Sequence, residues 1–71
     1  MKMSTRCINQ AAIAMAAGLQ VETVRQAAAR RAIFYFENTP HIQALIEMYE
    51  RREPLPLPAK AILNARTQLY H

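Results

Sequence analysis

The chain has 71 residues, which allows one small domain and one core rather than two. Hydrophobic residues make up 52% and charged residues 20%, with a single glycine; this excludes a disordered chain and favours a compact helical one. The formal net charge of +4 suits a polyanionic partner, and no apolar run approaches a membrane span or follows a signal-peptide pattern, so a cytoplasmic protein with no membrane association is expected.

In chain order, Ser4 or Thr5 is placed to cap a first helix running to about Ala17, with Ile8, Ala12 and Met15 spaced along it. Gly18 ends that helix, because glycine takes the left-handed backbone conformation that a helix stop needs. A second helix is expected over 21–31, with Val24, Ala27 and Ala28 on one side, Glu22 in its first turn, and Arg30 and Arg31 near its end, where they suit the helix dipole. The residue before Val21 is Gln20, which is no cap. The stretch AIFYFEN, Ala32 to Asn38, reads either as a strand at 32–37 or as a continuation of the second helix.

Thr39 followed by Pro40 marks a clear helix start, since the N–H that proline lacks is unneeded in a first turn. Ile42, Leu45, Ile46 and Tyr49 then recur at the spacing of one helical face. The stretch PLPLP, Pro54 to Pro58, breaks the pattern and should form a stiff extended connector. A last helix from Ala59 carries Ile62, Leu63, Arg66, Leu69 and Tyr70 on or near one face. The expected fold is a mainly α single domain over 1–71, with about four helices.

Catalytic chemistry finds little to work with. Cys7 stands alone, His41 and His71 are far apart with no ligands at metal spacing, and the chain has no aspartate and one serine, Ser4. Neither a metal site nor a cofactor site is expected, and the chain is read as not an enzyme.

The charge is uneven. Residues 1–31 carry Lys2, Arg6, Arg25, Arg30 and Arg31 against Glu22 alone, whereas 32–53 carry Arg51 and Arg52 against four glutamates. The basic segment also holds the glycine. A helix-turn-helix requires a small residue four before its turn glycine and an aliphatic residue six after it, and Ala14 and Val24 fill those places. The alternative for this segment is a plain αα-hairpin in which Gly18 merely ends a helix.

The stretch IAMAAGLQVETVRQAAARR resembles the helix-turn-helix of small bacterial and phage DNA-binding regulators. Its AGLQVETVR core is similar to the opening of MerR-type and excisionase-type proteins, and RRAIFYFEN resembles the phage Cro repressors, in which a strand follows the recognition helix. The likeness covers about residues 10–37. It implies that helix 21–31 lies in the major groove of double-stranded DNA, with Gln20, Glu22, Arg25 and Gln26 facing base edges. Lys2, Arg6, Arg30 and Arg31 would then grip phosphates.

Two functions follow as expectations. The first is a sequence-specific transcriptional regulator of phage, prophage or plasmid type. It would act as a homodimer, with Phe34 or Phe36 near its axis because the AIFYF run is too apolar to stay exposed; the alternative is that the third and fourth helices fold back and cover these aromatics within one chain. The second is a small helical interaction module that binds and modulates a host protein.

Overall fold

The computed structural model describes residues 1–26 and 31–70, with only the backbone of Gln26 and Arg31. Three strands and three helices follow one another as β1 (Lys2–Thr5), α1 (Ile8–Ala16), β2 (Glu22–Gln26), β3 (Arg31–Glu37), α2 (Pro40–Glu50) and α3 (Ala59–Tyr70). The sheet is antiparallel in the order β1-β3-β2. The two outer strands therefore run parallel to each other with β3 between them, and α1 is the crossover that links them.

This α+β architecture overturns the expected mainly α fold. The helix expected over 21–31 is a strand over Glu22–Gln26, paired residue for residue with β3 from Glu22↔Tyr35 to Gln26↔Arg31. Ala27 to Arg30, the rest of that expected helix, lie outside the described residues. Adjacent β-branched residues, Thr23 and Val24, favour the extended conformation, and β3 supplies the hydrogen-bonding partner that makes it stable. Val24, expected to plug the angle between two helices, is instead 47% exposed on the sheet. A helix-turn-helix is therefore not formed.

Gly18 does end the first helix, at φ +96°. The Gly18 N–H donates to the Met15 carbonyl and the Leu19 N–H to the Ala14 carbonyl, each at 3.0 Å, which is the Schellman pattern. The chain leaves that stop toward a strand. At the other end of α1, Ser4 and Thr5 lie in β1 rather than at a cap, and the N-cap position is Cys7. Thr5 still helps to organise the start: its Oγ1 accepts from the Cys7 N–H at 3.1 Å and donates to Gln10 Oε1 at 2.7 Å.

The stretch 32–37 is strand and occupies the centre of the sheet. Its alternation buries Phe34 and Phe36 (4% and 1% exposed) under the helices, while Ile33 and Tyr35 lie on the opposite face, half-buried. The helices α1, α2 and α3 complete the core on the phenylalanine side. Ile13, Ala14, Phe36, Ile42, Leu45 and Ile46 form one cluster, and Ala11, Ala12, Phe34, Ala65 and Leu69 form a second. Four successive residues of α1, Ala11 to Ala14, are buried, and the small size of its alanines permits close contact with α3. Both phenylalanines are covered within one chain, so neither ring is the exposed apolar surface expected near a dimer axis.

The helix at Pro40–Glu50 forms as the sequence indicates. Thr39 Oγ1 accepts from the Ile42 N–H at 3.1 Å, and Ile42, Leu45 and Ile46 are buried. It too ends in a Schellman pattern, with Arg52 at φ +59° in the position that glycine usually takes. In the connector 54–58 the three prolines are exposed, and Leu55 and Leu57 pack against the first cluster. The last helix buries Ala65 and Leu69, but leaves Leu63 and Tyr70 exposed.

Candidate functional site

The eight residues expected to contact DNA separate into three groups. Lys2 and Glu22 lie on the sheet face that carries Tyr35, opposite the helices, and Lys2 Nζ is 3.2 Å from Glu22 Oε1. Both side chains are exposed, so the pair contributes at most about 1 kcal/mol. It nevertheless sets a carboxylate beside Lys2, which makes that lysine a poorer phosphate contact than one standing alone. Gln20, exposed in the connection before β2, lines the same shallow groove of about 160 Å³ beside Tyr35.

Arg6 and Arg25 form the second group. Arg6 follows β1, and Arg25 pairs with Ala32 near the hairpin end of β2. Antiparallel pairing brings these two ends together, because Thr5 is opposite Phe34 and Arg25 is opposite Ala32 on the same central strand. Both arginines line one cleft of about 300 Å³, together with Leu69 and Tyr70 from the last turn of α3. The carbonyl end of that helix favours cations nearby. Arg25 also borders a neighbouring groove of about 530 Å³ with Thr23 and Gln68.

The third group, Gln26, Arg30 and Arg31, lies at or beyond the edge of the described residues. Gln26 and Arg31 are partners at the last described position of the hairpin, and Arg30 lies outside the described residues.

The distribution of negative charge sets the arginine cleft apart. None of the five glutamates lines it. Glu22 is taken by Lys2, and Glu37 by the amino group of Met1. That amino group, chiefly through its hydrogen bond, holds the Glu37 carboxyl below its ordinary pKa. Glu47 lies 4.0 Å from Arg51, and Glu50 accepts from Gln10 Nε2 at 3.2 Å. Among the described residues, Arg6 and Arg25 take part in no ion pair. The cleft thus offers two guanidinium groups beside an aromatic ring, since Tyr70 is 62% exposed. Guanidinium binds phosphate oxygens in a bidentate manner, and an exposed ring offers a stacking face.

Sequence reasoning had singled out both arginines but not Tyr70 as part of the site. The available signal was its place next to Leu69: when Leu69 faces the core, the following helical residue turns away from it. Among the described residues, no three His, Cys, Asp or Glu side chains gather as they would around a metal ion, and no helix is long and apolar enough to cross a membrane.

No curated protein and no solved structure matches this chain. A family described as a domain of unknown function (DUF5659) matches residues 3–69, nearly the whole length, and the chain belongs to that family.

Proposed function

We propose that this chain is a small cytoplasmic DNA-binding regulator that grips the duplex backbone with Arg6 and Arg25. The observation that carries the reading is the cleft itself: Arg25 of β2 and Arg6, which follows β1, converge on it, and none of the five glutamates lines it. The net charge of +4 adds a longer-range attraction. Two-stranded ribbons are an established way of entering a DNA groove, and the β2–β3 hairpin presents Arg25 near its end. In this reading DNA is held by strands and the arginine cleft, and no recognition helix takes part. Binding, not catalysis, is the proposed activity.

The test is fluorescence anisotropy with a labelled duplex, comparing the wild-type chain with Arg6→Ala and Arg25→Ala. Each variant should bind more weakly while keeping its fold by circular dichroism. Unchanged affinity in both would refute the reading.

A second reading is favoured by the other face of the sheet. Val24, Ile33 and Tyr35 form an apolar centre there that no helix covers among the described residues. A protein partner, or a second copy forming a homodimer, would bury it. Light scattering at micromolar concentration tests the homodimer: a mass of 8.1 kDa for the free chain at every concentration, together with a single copy per DNA complex, refutes it.

A further inference from the structure

A separate groove of about 260 Å³ opens between α1, α2, the proline connector and α3. Its walls include Ile13, Leu55, Ile62 and Leu63, and its polar atoms come from Asn9, Tyr49 and Arg66. Asn9 Nδ2 donates to Tyr49 Oη at 3.0 Å, so those two side chains are paired with each other. Arg66 is different. Its Nε is buried and, among the described residues, has no acceptor within hydrogen-bonding distance. A guanidinium has only donors, and leaving one buried without an acceptor is costly. None of the five glutamates lines this groove.

We propose that the groove binds a small apolar carboxylate, with the carboxylate on Arg66 and the hydrocarbon against Ile13, Leu55, Ile62 and Leu63. The charge of Arg66 selects an anion, and the fork of its guanidinium matches the two oxygens of a carboxylate. Size follows from volume. A cavity of about 150 Å³ holds benzene, so on the same scale this groove accepts about ten heavy atoms, the size of octanoate. The site uses neither Arg6 nor Arg25 and stands independently of DNA binding.

The experiment titrates octanoate, 1-octanol and octylamine separately into the ¹⁵N-labelled full chain, followed by NMR without nucleic acid. Octanoate should shift the amides of Asn9, Tyr49, Ile62 and Arg66 saturably, with an affinity about tenfold above that of octanol, and octylamine should not bind. Arg66→Met keeps the apolar stem and should remove the preference for octanoate while leaving octanol binding intact. Arg66→Lys should retain part of it, and serves where the methionine variant fails to fold. Equal binding of octanoate and octanol by the wild-type chain, octanoate shifts confined to Arg6 and Arg25, or the absence of saturable binding at millimolar octanoate would each overturn the proposal.

Discussion

Replacing Arg6 and Arg25 together by alanine should change the salt dependence of duplex binding by a calculable amount. Each phosphate neutralised contributes about −0.9 to the slope of log affinity against log salt concentration. Two arginines in one cleft, each taking one phosphate, therefore contribute about −1.8. Between about 50 and 200 mM salt, a fourfold change, the wild-type affinity should fall about twelvefold more than that of the double variant. The control is Arg51→Ala with Arg52→Ala, which removes the same net charge from the glutamate-rich end of α2. Anisotropy titrations at four salt concentrations would measure both slopes. If the control flattens the slope as much as the Arg6 and Arg25 pair does, net charge alone drives binding and the cleft has no special role. If neither pair changes it, the arginines do not meet phosphate.

Three stability predictions follow from the backbone and the core. Gly18→Ala should cost about 1–2 kcal/mol from backbone strain alone, because no atom lies within 4 Å of the added Cβ at φ +96°; a thermal melt without loss of stability would contradict it. Arg52→Gly should stabilise by about 0.5–1 kcal/mol, since arginine sits at φ +59° in a glycine position, and should raise the melting temperature by a few degrees. Phe36→Ala should cost about 3–5 kcal/mol in urea unfolding, which approaches the whole stability expected of a 71-residue domain.

The parts of this fold that were legible in the sequence are those fixed by local chemistry. Thr39 and Pro40 announce α2 because a cap and a first-turn proline act within one turn of the chain. The connector 54–58 is legible for the same reason, its prolines being unable to continue a helix. Gly18 identified a helix stop correctly, yet a Schellman stop is the same whether a helix or a strand follows it. The strands β1 and β2 were not legible because their stability is non-local. β1 has four residues, too few for a periodic signal, and β2 is set among glutamine, glutamate, arginine and alanine, which all favour helix. One inconsistency did point to them. A strand at 32–37 surrounded only by helices would leave its N–H and C=O groups unpaired, and flanking segments were the available partners. The missing cap before Val21 marked β2 as one of them.

The change from helix to strand in β2 also decides which charges can act together. On a helix Glu22, Arg25 and Gln26 would share a face, since residues three and four apart are neighbours there. On a strand, successive residues alternate, and Glu22 and Arg25 fall on opposite faces. Glu22 therefore meets Lys2 across Tyr35 on the open face, whereas Arg25 reaches the cleft that Arg6 enters from the end of β1. One basic residue faces a carboxylate and, among the described residues, two take part in no ion pair, although all three belong to the same basic segment of sequence. The candidate anion site is thus a product of register: sliding β2 by one residue against β3 would exchange the two faces and bring Glu22 to the side of the arginine cleft. Val21, just before β2, packs against both core clusters and anchors the entry of the strand at that register.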